Sequence, residues 1–140
     1  MTTTVDTPDI TVILVVDQEL VRSGLRRILR RKDGFVIVAE CSDGDEVPAA
    51  VAEHRPDVVV MDLRMKRVDG IEATRQIRQL PDCGPVPIIA MTANAMQGDR
   101  EHCLAAGMDD YVAKPVRPKD LQTVLDTWLV NHADKTGTTG

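Results

Sequence analysis

Four polar residues follow apolar runs at points where a buried strand has no use for them: Asp17 after ILVV, Asp62 after VVVM, Thr92 after IIAM and Lys114 after YVA. Taken singly, each reads as a cap for the turn after a strand. Taken together, they suggest a chemistry. Two carboxylates facing each other repel unless a cation or proton lies between them. A hard divalent ion such as Mg²⁺, which prefers oxygen ligands and keeps several waters, is the natural guest. A lysine and a hydroxyl beside that ion would hold further oxygens of a phosphoryl group, whose transfer is catalysed mainly by positioning and charge neutralisation. An aspartate can be the nucleophile in such a transfer.

These residues meet only if the runs are neighbouring strands of one parallel sheet. Four consecutive aliphatic residues, as in Ile13 to Val16, suit a strand covered on both faces. Strands are expected over Thr11 to Val16, Phe35 to Cys41, Asp57 to Met61, Val86 to Met91 and Asp110 to Ala113. Helical patterns fill the gaps: Glu19 to Arg31, Asp45 to His54, Ile71 to Gln79, Asp99 to Ala106, and Pro118 to His132 with Leu121, Val124, Leu125, Trp128 and Leu129 at helical spacing. This strict alternation predicts an α/β fold, a parallel sheet with helices on both faces. In a flavodoxin-like doubly wound sheet of order 2-1-3-4-5, the switch point lies between strands one and three and brings Asp17 beside Asp62 at the carboxyl edge, where open α/β folds bind ligands. Gly34 and Gly107 read as helix stops, Asp69-Gly70 as a helix start, and Pro48 is tolerable only in a first helical turn. The expected organisation is one domain over 11–132, with polar, loose arms at 1–10 and 133–140.

The 140 residues suffice for a core without staples. Cys41, Cys83 and Cys103 are odd in number and form no CxxC pair, which argues against a disulfide framework or zinc site and for reduced thiols in the cytoplasm. There is no apolar signal core and no run of eighteen apolar residues, so neither secretion nor a membrane role is expected. A net charge of −5 with one Trp, one Tyr and one Phe argues against direct nucleic-acid binding. The exception is RSGLRRILRRK at 22–32. As a helix it would bury Leu20, Leu25, Ile28 and Leu29 and turn Arg22, Arg26, Arg30 and Lys32 outward, either as a plain solvated face or as a docking surface for an acidic or helical partner.

ILVVDQELVRSGLRRIL, VVVMDLRM, VDGIEATRQIR, VPIIAMTANAM and AAGMDDYVAKPV, in that order from about Thr11 to His132, closely resemble the receiver domain of bacterial two-component response regulators and hybrid sensor kinases. The resemblance implies a phosphoacceptor signalling domain and not an enzyme, beyond self-phosphorylation and autodephosphorylation. It implies that Asp62 accepts a phosphoryl group from a histidine kinase or histidine phosphotransfer protein. Asp17, Asp62 and the backbone carbonyl of Arg64 would ligate Mg²⁺, with Thr92 the switch hydroxyl, Tyr111 the switch aromatic, Lys114 the partner of a phosphoryl oxygen, and Lys114-Pro115 a cis peptide. The face formed by the fourth helix, fifth strand and fifth helix would switch and is the family's route to a homodimer. The first helix, apolar at Leu20, Val21 and Gly24, would help dock the donor.

Two departures stand out. The family usually has two adjacent acids after strand one; aligned on the helix that follows, without a gap, Val16 takes the first position and Asp17 the second, so the direct ligand remains and the outer one is lost, whereas a one-residue shift would put Gln18 at the direct-ligand position. Loss of such support costs about 10- to 100-fold in metal affinity. Lys66 and Arg67 stand where Pro-Gly is common, adding charge and removing turn residues. These atypical pocket positions keep a second reading open: a pseudo-receiver, an interaction module that signals without phosphorylation. A third, a flavodoxin-like cofactor binder, lacks the hydroxyl- or glycine-rich phosphate loop after strand one.

Overall fold

The computed structural model describes residues 10–63, 68–81, 84–92, 97–114 and 116–137. The strands are β1 (Ile10–Val15), β2 (Phe35–Cys41), β3 (Val58–Asp62), β4 (Ile88–Thr92) and β5 (Asp110–Ala113). Between and after them run α1 (Glu19–Ile28), α2 (Val47–His54), α3 (Gly70–Arg78), α4 (Gln97–Ala106) and α5 (Pro118–Gly137). All pairings are parallel and the order is β2-β1-β3-β4-β5, the doubly wound sheet expected from the alternation.

Alternation along the strands sorts the core into two layers. Ile13, Val15, Val59, Met61, Ile88 and Ala90 pack with Val47 and Val51 of α2, Ala73 and Ile77 of α3 and Cys103 of α4. Their neighbours Val12, Leu14, Val16, Val58, Val60, Ile89 and Met91 pack with Leu25 within α1 and Leu29 just after it, and with Leu121 and Leu125 of α5. With both faces covered, the central strands must be apolar throughout, and polar side chains are left to the edges.

The ends of elements differ from expectation in instructive ways. β3 and β4 each run one residue further, taking in Asp62 and Thr92. α1 stops at Ile28, and Gly34, at φ 92°, ends a separate 3-10 turn over Arg31–Asp33. Pro48 lies in the first turn of α2, and Asp69 caps α3 by accepting from the Glu72 N–H at 2.9 Å. α5 continues to Gly137, five residues beyond the expected end at His132.

The first helix corrects two orientations. Leu20, expected in the buried stripe, is 86% exposed, whereas Leu25 and Leu29 are buried. Five residues from Leu25, it stands about 140° round the helix from the buried side. Arg22, expected outside, is only about 60° from Leu25, and it turns inward toward β1 and β2 with 15% of its side chain exposed. Among the described residues no helix is long and apolar enough to cross a membrane.

Candidate functional site

Sheet register decides which side chains share the carboxyl edge. Val15 lies opposite Met61, Asp62 opposite Met91, and Thr92 opposite Ala113. The ladder continues one residue beyond the strands, with Val16 N–H donating to Cys41 at 2.9 Å, Leu63 N–H to Met91 at 3.0 Å and Lys114 N–H to Thr92 at 2.8 Å. Asp17, Asp62, Thr92 and Lys114 therefore stand at the ends of four adjoining strands, at one edge.

Asp62 and Thr92 are each only 3% exposed, and Asp17 is half-buried. Lys114 reaches over the end of β4 to place Nζ 2.7 Å from Asp62 Oδ2, with 21% of the lysine side chain and 4% of the aspartate side chain exposed. A salt bridge this close ties β5 to β3 across β4. Asp17 follows β1, which pairs directly with β3, so the two acids stand at the ends of neighbouring strands.

The loop after Asp62 returns to the same edge. Gly70 N–H donates to the Leu63 carbonyl at 2.9 Å, and a Cβ on Gly70 would sit 2.8 Å from the Asp62 carbonyl oxygen. Only glycine lets the start of α3 come this near the Asp62 backbone. Arg64, Lys66, Arg67 and Pro115, all singled out from the sequence, lie outside the described residues. Tyr111 is half-buried and packs on the layer under α2, α3 and α4. Val16 is fully buried in the opposite layer, among Leu14, Leu25 and Leu29, where it acts as core.

Sequence reasoning missed two residues near this edge. Arg22 Nη2 donates to the Val16 carbonyl, which precedes Asp17, and at 2.9 Å to Ser42 Oγ. Asp43 is buried and accepts from the Val68 N–H at 2.7 Å. The helical angle of Arg22 and the Asp43-Gly44 turn pair were the available signals. Cys41, at the end of β2, is no nucleophile at neutral pH, because burial, helped by Glu46, pushes its thiol up to about 11.

Among the described residues, no three His, Cys, Asp or Glu side chains form a group that could hold a metal ion. The carboxylates at the ends of β1 and β3 are those of Asp17 and Asp62. Oxygen donors of this kind, few in number, fit a hydrated Mg²⁺ and not a zinc ion. A small apolar hollow of about 250 Å³ borders the site, lined by Leu20, Val21, Gly24, Leu25, Ile28, Lys114 and Val116.

A doubly wound 2-1-3-4-5 sheet with an aspartate and a lysine joined across its carboxyl edge belongs to the flavodoxin-like class. Within that class the response regulator receiver domain family matches residues 12–126, and the chain belongs to that family. Response regulator MprA of Mycobacterium sp. (strain KMS) is 42% identical over 110 residues, which is 78% of this chain and 46% of MprA. The receiver domain of sensor histidine kinase PA1611 from Pseudomonas aeruginosa PAO1, solved with a magnesium ion coordinated in its active site cleft, is 40% identical. The match covers 86% of this chain and 97% of that one, with a TM-score of 0.77. The co-crystal structure of the Saccharomyces cerevisiae histidine phosphotransfer protein Ypd1 with the receiver domain of Ssk1 matches at 30% identity and a TM-score of 0.75, covering 86% of this chain and 89% of that chain. This chain spans less than half the length of the curated relatives, from 7% to 46%.

Proposed function

We propose that Asp62 accepts a phosphoryl group from the phosphohistidine of a kinase or a histidine phosphotransfer protein. The observation that carries this is the 2.7 Å ion pair between the buried Asp62 and Lys114 of another strand. Asp62 Oδ1 attacks phosphorus as the P–N bond breaks; the electron pair leaves with the imidazole, which takes a proton, and an acyl phosphate forms. Lys114 Nζ, already on Oδ2, moves to the incoming phosphoryl oxygens and neutralises charge that spreads over them in the transition state. Thr92, at the end of β4 between the two, donates its hydroxyl to the phosphorylated state. Asp17, Asp62 and the Arg64 carbonyl would hold Mg²⁺, which supplies further neutralisation of the phosphoryl oxygens.

Phosphorylation adds up to two negative charges at this edge, and the lysine and threonine that follow them sit on β5 and β4. Two packings of the α4, β5 and α5 face, with Tyr111 and the Lys114-Pro115 peptide as moving parts, are biased by that charge if they differ by a few kcal/mol. The face can then recruit a target or a second copy. The donor would dock on α1, where exposed Leu20 and the apolar hollow lie next to Lys114. Such a domain works in the cytoplasm. The match to a receiver solved with a phosphotransfer protein supports this choice of partner.

Incubation with acetyl phosphate and Mg²⁺, followed by intact mass, tests the reading. The expected result is one added phosphoryl group on the wild type and none on Asp62→Asn; an unmodified wild type would overturn it. That overturning result is the one expected of a pseudo-receiver. This second reading is favoured by one observation: Val16, where a second acid is usual in the family, is fully buried as core. Val16→Asp separates them further, since a phosphorylating receiver should then need about 10-fold less Mg²⁺.

A further inference from the structure

The segment that follows Asp62 is held from outside by the turn after β2. Asp43 Oδ1 accepts from the Val68 N–H at 2.7 Å, and Gly44 N–H donates to the Val68 carbonyl at 3.1 Å. Both backbone groups of Val68 are thus taken by adjacent residues of one turn, as in a single rung of a sheet. The approach is as close as atoms permit, because a Cβ on Gly44 would lie 2.2 Å from the Val68 carbonyl oxygen. Asp43 is 6% exposed, one of the few buried carboxylates of the chain, and Gly44 is buried beside it.

At the near end, Leu63 N–H is fixed to the Met91 carbonyl at 3.0 Å and the Leu63 carbonyl to Gly70 N–H at 2.9 Å. At the far end, the clamp from Asp43 and Gly44 fixes Val68. Val68 and Gly70, at the start of α3, are therefore anchored on two sides, to the turn after β2 and to Leu63. A charged acceptor makes a strong bond to a backbone N–H, stronger than a neutral one, so a buried carboxylate is suited to the task.

We infer that Asp43 is a positioning residue for phosphorylation at Asp62: with Gly44 it clamps Val68, two residues before Gly70, and so holds the start of α3 where the Gly70 N–H meets the Leu63 carbonyl beside Asp62. This rests on the proposed phosphoacceptor role. Asp43 is proposed to act through Val68 and not by touching substrate or metal.

Three variants and two readouts test it. Asp43→Ala removes the acceptor, Asp43→Asn keeps an oxygen in its place, and Gly44→Ala keeps the carboxylate but presses on the Val68 carbonyl. The Mg²⁺ concentration for half-maximal labelling by acetyl phosphate should rise about tenfold in Asp43→Ala and in Gly44→Ala and return to within about threefold of wild type in Asp43→Asn. Rates are taken per folded molecule, from melts run alongside, so that simple loss of stability does not count; if Asp43→Ala does not fold, Gly44→Ala and Asp43→Asn still decide. Independently of labelling, the Val68 amide should be protected from hydrogen exchange in the wild type and in Asp43→Asn and lose that protection in Asp43→Ala and Gly44→Ala. A labelled wild type with variants of unchanged Mg²⁺ requirement would overturn the clamp alone. A wild type that takes no phosphoryl group would overturn the acceptor reading, and an unprotected Val68 amide would overturn the clamp whatever the labelling shows.

Discussion

The two edges of the sheet use the same residue types for different ends. At the amino edge, Arg78 at the end of α3 gives its guanidinium to the carbonyls of Gly84 and Val86, both at 2.6 Å, and of Gly107, with Nε at 2.9 Å. It also meets Asp109 at 2.9 Å, and that carboxylate accepts from the Ile88 N–H at 2.8 Å. Asp57 and Thr11 bridge the starts of β3 and β1 in the same manner, through backbone N–H groups. At the carboxyl edge, Lys114 and Asp62 meet side chain to side chain. A cation committed to carbonyls cannot change partners without breaking the fold. One resting on a carboxylate can follow new charge, since the lysine ammonium sits on a flexible four-carbon stem. Charge at the first edge is structure, and on the proposed function charge at the second is exchangeable.

Breaking each edge should therefore give opposite signatures. Asp62→Asn is expected to remove all phosphoryl labelling, read by intact mass, while its urea midpoint stays near that of wild type or rises, because one of two neighbouring acids is neutralised. A marked loss of stability in Asp62→Asn would place this edge with the structural one. Arg78→Ala is the converse: about 3 kcal/mol of stability lost in urea unfolding, since several carbonyls lose a charged donor, with labelling per folded molecule unchanged within about twofold. A specific loss of labelling there would erase the distinction.

Much of this division was legible in the residues. Strand and helix alternation specified the sheet, and apolar runs broken by Asp17, Asp62, Thr92 and Lys114 marked the working edge, because a strand covered on both faces has no other use for polar groups. Three things were not legible. Register places Asp62 and Thr92 inside their strands, which composition cannot tell from just after. The outward face of Leu20 and the inward one of Arg22 follow from where α1 begins and how it sits over the sheet edge, facts of packing and not of pattern. The clamp on Val68 joins residues 25 apart in sequence through one backbone amide, and a backbone amide has no sequence signature.

Arg22 sharpens the comparison, since it stands at the carboxyl edge but behaves like the arginine of the amino edge. Its donors go to the Val16 carbonyl and Ser42, and it reaches Glu40 at 3.7 Å through Nε. Arg22→Met, which keeps most of the stem, should cost about 2 kcal/mol in urea unfolding. It should also raise the Mg²⁺ needed for labelling by a few-fold, because the carbonyl it holds belongs to the residue before Asp17. Lost stability with no change in Mg²⁺ requirement would mark it as purely structural.

The smallest effect is expected at Glu40, on the solvent side of the same strand end. Arg26 grips it with Nη2 at 2.6 Å and Nε at 2.9 Å, and this hydrogen bonding, with the charge of Arg26 and Arg22 added, holds the Glu40 carboxyl below its ordinary value. A depressed carboxyl contributes stability that is fully present above its unfolded value, about 4.3, and is lost as pH falls through the lower folded one. Glu40→Gln, which keeps the shape and an acceptor oxygen, should therefore lower the urea midpoint slightly at pH 7 and match wild type once the pH is well below 4. Both side chains are partly exposed, at 43% and 26%, so water and salt screen the pair. Raising the ionic strength to about 1 M, where the screening length is about 3 Å, should shrink the difference at pH 7. A difference that persists at low pH would mean that the variant acts through packing of α1 on β2, and the charge at this corner would then count for nothing.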